Sequence, residues 1–297
     1  MAITYNNLYL DLRQQFREAG IEAAALEARE LLCHVTGKNQ EQLLADMYYY
    51  MSSDVERKVR SLAARRLEGE PVAYLVGEWS FCGIDLEVDP NVLIPRVDTE
   101  VVAEQAIART REVPGQARVM DLCAGSGCIG LAVATYAKNS RVVLGDLSDE
   151  AVNLCQRNLR RCGKRSTVTC FPVDATKAPP AQFGRFHVIV SNPPYIPTGD
   201  IPTLDASVRN YEPHMALDGG ADGLDFYRAI SREWKKALRP GGWLIYEVGI
   251  GQAEQVMAIM EGEGFLSLAS YPDTAGIPRV VEGRLPDTDE KQESPQS

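Results

Sequence analysis

The chain has 297 residues, of which 45% are hydrophobic and 24% are charged. This ordinary globular composition excludes a disordered, collagen-like or low-complexity protein. The 31 basic and 41 acidic side chains give a net charge of −10, whereas proteins that bind duplex nucleic acid through its phosphates usually carry a basic excess. Composition therefore argues against bulk DNA binding. At roughly 100–200 residues per domain, the length indicates one large domain and one smaller one.

The cysteines and the N-terminal segment indicate the compartment. The seven cysteines are an odd number without CxxC spacing, so neither a disulfide framework nor a metal site is expected. The segment MAITYNNLYLDLRQQF lacks the basic and apolar regions of a signal peptide. No run approaches the ~20 apolar residues that cross a bilayer. We expect a monomeric, cytoplasmic protein with no membrane partner.

Residues 1–75 are predicted to form a small helical bundle, because their apolar residues recur at helical spacing. The two apolar stripes are Leu8, Leu12 and Phe16, and Leu26, Leu31, Leu32 and Val35, with Gly37 as a helix stop. A third helix begins at Ser53, with Glu56 at the spacing of a capping box. In residues 76–96, apolar and polar residues alternate around Cys82-Gly83, which predicts a β-hairpin linker.

Residues 97–285 are predicted to form an α/β domain. A helix from about Thr99 to Arg111 leads into it, and the buried strands that follow are RVMDL, RVVLGDL, VTCFPV, FHVIVS and WLIYEV. Helical stretches lie near 128–137, 149–162, 223–239 and 252–262, which predicts an open parallel sheet with helices on both faces. The segments FLSLASYP and RVVEGRL would add an antiparallel pair at one edge. The polar tail, 286–297, is expected to be disordered.

A glycine-rich turn follows the first of these strands. Gly125, Gly127 and Gly130 fit the pattern GxGxxG, which is a weak signal by itself because any tight strand-to-helix turn favours glycine. Asp146, at the end of the next strand, is placed to accept hydrogen bonds from both hydroxyls of a ribose. This favours an adenosine-type cofactor without choosing between NAD and S-adenosylmethionine. Asp121 favours the latter, because a carboxylate suits an ammonium or sulfonium better than a pyrophosphate.

Two further groups of polar residues carry weaker signals. Asp174 follows the third strand, where an adenine amino group would lie in such a fold, but alone it is equally a helix cap or a solvated loop residue. His34, His187 and His214 show neither triad nor metal spacing. His187 lies inside an apolar strand and is expected to be a core residue, so no histidine is given a role.

The fourth strand, FHVIVS, ends in Asn192-Pro193-Pro194-Tyr195. Open α/β sheets bind ligands at the carboxyl ends of their strands, and the two prolines stiffen the loop and remove two backbone donors. The Asn192 side-chain oxygen and the carbonyls of Asn192 and Pro193 then form a cluster of acceptors, with the Tyr195 ring beside them. Such a cluster suits a planar –NH2 group whose nitrogen attacks a sulfonium methyl. A rigid turn is the structural alternative.

Several motifs resemble the HemK/PrmC family of peptide-chain release factor glutamine N5-methyltransferases. Asp121–Gly127 resembles its DLGTGSG loop, with Cys123 and Ala124 in place of Gly and Thr, and Asn192–Tyr195 matches its substrate motif. NPPY is shared with adenine-N6 DNA methyltransferases, so it indicates amino-group methylation rather than one family. Three longer stretches also resemble family motifs: Glu70–Glu78, Leu93–Glu100 (with Val97 where proline is usual), and Tyr211–Pro213 continuing through Ala216–Gly220.

The resemblance implies a seven-stranded Rossmann-like class I methyltransferase domain behind an N-terminal helical domain that recognises the substrate. The methyl group would pass from S-adenosylmethionine to the glutamine amide of the GGQ motif in class-one release factors. The catalytic residues would be Asn192, Pro193, Pro194 and Tyr195. The cofactor would contact Asp121, Cys123, Ala124, Gly125, Ser126, Gly127, Asp146, Asp174, Ala175 and Asn192. The main alternative is an adenine-N6 methyltransferase on nucleic acid, which would need base flipping and a basic track.

Overall fold

The chain forms two units in the computed structural model, which describes residues 3–287. One unit comprises residues up to Glu78 together with Asp205–Tyr211, and the other comprises Trp79–Leu204 and the chain from Glu212 onward. The domain boundaries predicted after residues 75, 96 and 285 stay predictions. The predicted disorder of the tail lies, from residue 288 on, outside the described residues.

The helices and strands alternate in the second unit as the sequence predicts. The helices are α1 (Tyr5–Glu18), α2 (Ala24–Thr36), α3 (Gln40–Ala45), α4 (Ser53–Leu67), α5 (Val72–Val76), α6 (Asp98–Glu112), α7 (Cys128–Tyr136), α8 (Asp149–Arg161), α9 (Ala206–Tyr211), α10 (Asp225–Trp234) and α11 (Ala253–Gly262). The strands are β1 (Glu78–Phe81), β2 (Ile84–Glu87), β3 (Ala117–Leu122), β4 (Ser140–Asp146), β5 (Val168–Pro172), β6 (Phe186–Ser191), β7 (Leu238–Glu247), β8 (Leu266–Pro272) and β9 (Pro278–Arg284). Within residues 3–287, no helix combines the length and apolar character that crossing a membrane requires.

The first unit is helical, as predicted, and consists of α1–α5 with α9. The predicted apolar face of α1 is buried, namely Leu8, Leu12 and Phe16. The prediction for Leu26 was wrong, since its side chain is 45% exposed. Leu31 lies five positions further along the chain, which at 100° per residue places the two on different faces of α2. Glu27 lies on the buried face instead and forms an ion pair with Arg66 at 2.5 Å.

The third long helix begins at Ser53 as predicted, but its predicted cap was wrong by one residue. The cap of α4 is Ser52, whose hydroxyl accepts a hydrogen bond from the Val55 N–H at 3.3 Å. The residue three positions after the cap is therefore Val55, which has no polar side chain to complete a capping box. The predicted cap lay one residue too late in the chain, and the predicted capping box with it, because Ser52 and Ser53 are adjacent residues of the same type.

The second unit is built on a seven-stranded sheet with the strand order β5-β4-β3-β6-β7-β9-β8. The first five of these strands are parallel, and β9 runs antiparallel to both β7 and β8. The predicted fold class and antiparallel edge pair are thus confirmed, and β1 and β2 form the predicted hairpin. The backbone N–H of Arg118 donates to His187 Nδ1 at 2.9 Å, so this histidine has a hydrogen-bond partner, but it is half-buried rather than the core residue that was predicted.

One predicted boundary in this unit differs from the structure. The helix expected over 223–239 ends at Trp234, and β7 already begins at Leu238. The pairing of β7 with β6 shifts register between Phe186, opposite Leu238, and Val188, opposite Trp243. The strand therefore starts before the Pro-Gly-Gly segment and accommodates it as an irregularity, whereas the sequence pattern suggests a turn.

The two faces of the sheet carry separate apolar layers. Val119 and Val188 belong to one buried cluster and their chain neighbours Met120 and Ile189 to the other, because successive side chains of a strand point to opposite faces. The strand order reverses between β3 and β6, whose ends are paired at Leu122 and Ser191. In open α/β sheets, ligands bind at such a reversal, outside the carboxyl ends of the strands.

Candidate active site

A cavity of about 810 Å³ lies at the carboxyl ends of β3, β4, β5 and β6, within the second unit. Its size is typical of small-molecule and cofactor sites. The predicted site residues that line it are Cys123, Ala124, Gly125, Ser126, Asp146, Asp174, Ala175, Asn192 and Pro194. Four other predicted residues, Asp121, Gly127, Pro193 and Tyr195, are not among the lining residues. The structure therefore brings most of the predicted site together in one place.

The glycine turn between β3 and α7 presents its backbone to this cavity. Gly125 has a φ of +54°, and a side chain added there would meet no atom within 4 Å, so its backbone borders open space. Gly130 serves packing instead, because a Cβ there would lie 2.2 Å from Leu144 of β4. Cys123 has a φ of +57° without being glycine. A left-handed conformation at a residue with a Cβ is strained, and the resembling family loop has glycine at this position.

Asp121 lies beneath the turn and holds the start of α7. One carboxylate oxygen accepts a hydrogen bond from the Gly130 N–H at 2.8 Å, and the other has no partner among the described residues. Burial raises the pKa of Asp121 to about 7, although the Gly130 N–H acts in the opposite direction. The structure thus gives Asp121 a structural bond, and its contact with a cofactor stays a prediction.

Asp146 and Asp174 border the cavity at the ends of neighbouring strands. Asp146 accepts the N–H groups of Gly125 at 2.8 Å and Ser148 at 3.0 Å, one on each oxygen. Burial raises its pKa, and these N–H groups oppose the shift. One oxygen of Asp174 accepts from both the N–H and the hydroxyl of Thr176. Each ionised oxygen has two lone pairs, so both carboxylates keep acceptor capacity toward the cavity.

The turn after β6 is fixed to the end of β3. The Ser191 hydroxyl donates to the Leu122 carbonyl oxygen at 2.8 Å, which ties the two strands together at the reversal of the sheet. The Asn192 side-chain nitrogen donates to the Thr99 hydroxyl at 3.5 Å, so the donor end of this amide faces α6. Tyr195 is largely buried, and its carbonyl oxygen accepts from the Gln252 side chain at 2.9 Å.

Glu247 lies buried at the end of β7 and was not predicted. One of its oxygens accepts from the Tyr195 hydroxyl at 3.4 Å, and the other has no hydrogen-bond partner among the described residues. Burial raises the pKa of Glu247 to about 7, against the opposing effects of the Thr99 hydroxyl and the Arg279 charge. The signal available in the sequence was its position, because WLIYEV is a strand whose carboxyl end carries this residue.

Arg96 and Glu212 form a second pair that was not predicted, although both lie in motifs noted from the sequence. They form a salt bridge, with Glu212 buried and Arg96 lining the cavity. Burial raises the pKa of Glu212, and the guanidinium of Arg96 opposes that shift. The pair joins the segment before α6 to the segment that follows α9. Because the two residues are 116 positions apart in the sequence, no local sequence pattern indicates that they pair.

Two stretches of the chain match known domain families. Residues 7–77 match the PrmC N-terminal domain, and residues 99–204 match the methyltransferase small domain. The chain is 44% identical to a release factor glutamine methyltransferase of Geobacter sulfurreducens, over 92% of this chain and 94% of that relative. It belongs to the release factor glutamine methyltransferase family. The resemblance drawn from the motifs is thereby confirmed, and the adenine-N6 alternative is set aside.

Further comparisons agree with this family. A release factor glutamine methyltransferase of Clostridium acetobutylicum is 36% identical over 89% of this chain and 93% of its own length. Among solved structures, the catalytic domain of hMettl16 has the same fold, with a TM-score of 0.55 at 14% identity, covering 76% of this chain and 83% of that one. As a member of the family, the chain is a methyltransferase whose methyl donor is S-adenosylmethionine.

The residues around the cavity fit this cofactor. The open backbone at Gly125 admits a ligand close to the start of α7, and Asp146 and Asp174 offer unused acceptor positions on adjacent strands. These are the groups that ribose hydroxyls and an adenine amino group require. The acceptor groups around the cavity therefore agree with a cofactor that contains adenosine and carries a positive charge.

Proposed function

We propose that this chain transfers a methyl group from S-adenosylmethionine to the side-chain amide nitrogen of the glutamine in the GGQ motif of class-one release factors. The observation that carries the proposal is the Asn192–Pro194 turn at the carboxyl end of β6, which borders the same cavity as Asp146. An acceptor-rich, rigid turn beside a cofactor cavity suits an amide –NH2 as the methyl acceptor.

The cofactor-binding roles divide among the strand ends. Asp146 accepts the ribose hydroxyls, and the turn from Cys123 to Gly127 contacts the methionine part, with Asp121 supporting the turn from below. Asp174 and Ala175 bind the adenine side. Bound S-adenosylmethionine supplies an electrophilic methyl group on a sulfonium, so the chain needs no nucleophilic side chain of its own.

The Asn192 turn orients the acceptor. The Asn192 side-chain oxygen and the Pro193 carbonyl accept the two hydrogens of the glutamine amide, and Tyr195 lies against its plane. These acceptors stabilise the positive charge that develops on nitrogen. The nitrogen lone pair forms the N–C bond while the methyl–sulfur bond breaks and its electron pair stays on sulfur. The products are N5-methylglutamine, S-adenosylhomocysteine and a proton that passes to water.

A labelling experiment tests this proposal directly. The protein is incubated with methyl-labelled S-adenosylmethionine and a purified class-one release factor, and the labelled peptide is located by mass spectrometry. We expect label on the GGQ glutamine and none on a release factor in which asparagine replaces that glutamine. Duplex DNA is the parallel acceptor. Label on adenine, or on a residue outside GGQ, would contradict the proposal.

The N-terminal helical unit is proposed to recognise the protein substrate. It matches a domain of the same family, and none of its described residues is among those that line the cavity. A truncated protein should begin at Trp79 rather than near Val97, because Phe81 and Leu86 are buried in the core of the second unit. We expect it to bind S-adenosylmethionine but to lose methylation of intact release factor. Full activity on intact release factor would contradict the recognition role.

A further inference from the structure

A buried polar cluster lies behind Asn192. Thr99 on α6 and Glu247 at the end of β7 are each 2% exposed. The Asn192 side-chain nitrogen donates to the Thr99 hydroxyl at 3.5 Å. That hydroxyl is close enough to the Glu247 carboxylate to lower the pKa of Glu247 against the effect of burial. The Tyr195 hydroxyl donates to the same carboxylate at 3.4 Å. Buried polar groups in a single chain of contacts constrain one another's donor and acceptor directions.

The direction in which each polar group of this cluster points its hydrogen follows from whether the group donates or accepts hydrogen bonds. An ionised carboxylate only accepts, and a hydroxyl has one hydrogen to give. Glu247 therefore draws the Thr99 hydrogen toward itself, which leaves a Thr99 lone pair for the Asn192 –NH2. The side-chain oxygen of Asn192 must then point to the opposite side of the amide.

This direction matters because the two ends of an asparagine side chain have nearly the same shape. A flipped Asn192 would present –NH2 hydrogens to the –NH2 group of the methyl acceptor, and the two donors would repel each other. Packing alone distinguishes the two orientations poorly. A hydrogen-bond partner of fixed direction distinguishes them well.

We propose that Thr99 and Glu247 are positioning residues that hold the Asn192 amide with its oxygen toward the methyl-acceptor nitrogen. The inference rests on the proposed function, in which Asn192 contacts the acceptor amide. Neither residue touches the transferred methyl group in this scheme. Both act through Asn192.

The surroundings of Glu247 make this orientation sensitive to protonation. Burial raises the pKa of Glu247 to about 7. A protonated Glu247 can donate to Thr99, which turns the hydroxyl hydrogen toward Asn192 and favours the flipped amide. The titratable and charged groups that act on or contact Glu247 are Asp98 from α6, Tyr195 from the turn after β6, Arg279 from β9, Cys128 from α7 and Tyr227 from α10, and the uncharged Thr99 hydroxyl acts on it as well.

Two variants of Thr99, with a matched control on the same helix, test the proposal. Thr99→Val keeps the branched shape and removes the hydroxyl, whereas Thr99→Ser keeps the hydroxyl. Thr110→Val is the control, because Thr110 is equally buried on α6 but bonds only to the backbone oxygen of Ala106. We expect Thr99→Val to lower kcat for release factor methylation by about 10- to 100-fold, the order of loss that follows misplacement of a reacting group.

The other readouts separate positioning from folding. We expect Thr99→Ser and Thr110→Val to stay within about threefold of wild-type kcat, and the cofactor Kd from calorimetry to be unchanged in all three variants. The wild-type kcat should fall below about pH 7, and Glu247→Gln should abolish that acid limb because it removes the titrating group.

Wild-type kcat in Thr99→Val, an equal loss in Thr110→Val, or an acid limb that persists in Glu247→Gln would overturn the positioning role while the proposed function stands. Wild-type protein that leaves the GGQ glutamine unmethylated would overturn the proposed function, and the positioning role with it.

Discussion

Replacement of Asp146 with alanine should weaken cofactor binding and loosen the glycine turn at the same time. Its two oxygens hold the N–H groups of Gly125 and Ser148, at 2.8 and 3.0 Å, while retaining lone pairs for the ribose. Hydrogen bonds to a charged group contribute about 1.5–3 kcal/mol each. Two such bonds to ribose hydroxyls therefore amount to at least about 3 kcal/mol, which is about a hundredfold in Kd.

The loss of stability in the Asp146→Ala protein without cofactor should be smaller than this loss of affinity. Burial raises its pKa, which means that the folded protein already disfavours the charged form and that alanine relieves part of this cost. The Gly125 N–H left behind borders the cavity and can bind water. Ser148 still caps α8, with its hydroxyl accepting from the Ala151 N–H at 3.2 Å. We therefore expect a loss of about 1–2 kcal/mol in the free energy of unfolding without cofactor.

Calorimetry with S-adenosylhomocysteine and urea unfolding of the free protein measure the two effects separately. Asp149→Ala is the matched control, because Asp149 is a nearby exposed carboxylate, at the start of α8, that does not line the cavity. It should leave Kd unchanged. Asp146→Asn, which keeps one acceptor oxygen and loses the charge, should fall between alanine and wild type. An Asp146→Ala protein with wild-type Kd would refute the reasoning.

Three further outcomes are expected. Asn192→Ala should lower kcat about 100- to 1000-fold with little change in cofactor affinity. Asn192→Asp keeps an acceptor oxygen but adds a negative charge, so it separates these two effects. More than a tenth of wild-type turnover in the alanine variant would mean that Asn192 has a structural role only. Cys123→Gly should change the free energy of unfolding by less than about 1 kcal/mol, because relief of the left-handed backbone offsets lost contacts, whereas Cys123→Val should lose about 2 kcal/mol in urea unfolding. Burial raises the pKa of both Asp121 and Glu247 to about 7, so between about pH 5 and 7 the folded state holds protons that the unfolded chain has released. The free energy of unfolding should therefore fall as pH rises through this range, by up to about 1.4 kcal/mol per pH unit for each group. His187, whose pKa is lowered by burial and nearby arginine charges, acts in the opposite direction, and Asp121→Asn should flatten the profile measured by urea unfolding.

The strands of the second unit could be predicted because buried parallel strands are short, nearly continuous apolar runs. Boundaries that depend on one residue were harder. Ser52 and Ser53 are equally good caps in sequence, and only the hydrogen bond to Val55 distinguishes them. The early start of β7 at Leu238 depends on pairing with β6, which no local pattern records.

The loop residues that line the cavity could be predicted because glycine and proline restrict the backbone in ways that the sequence displays. Thr99 and Glu247 could not be assigned a role. They are separated by 148 positions and meet only because α6 packs beside the end of β7. A threonine at the start of a helix and a glutamate at the end of a strand each have ordinary explanations until the fold places them in one buried cluster.

The three aspartates at or below the cavity show why the sequence alone could not distinguish a structural role from a binding role. Asp146 and Asp174 each accept a backbone N–H from the loop that they border, and Asp121 accepts one from the first turn of α7. Such bonds leave an ionised carboxylate with lone pairs to spare, so Asp146 and Asp174, which line the cavity, hold the backbone and still present acceptors whose direction is already set. Pre-organisation of this kind lowers the cost of ordering a site on binding. The binding role proposed for Asp146 and Asp174 therefore depends on their structural role, and a substitution at either of them should affect stability and affinity together.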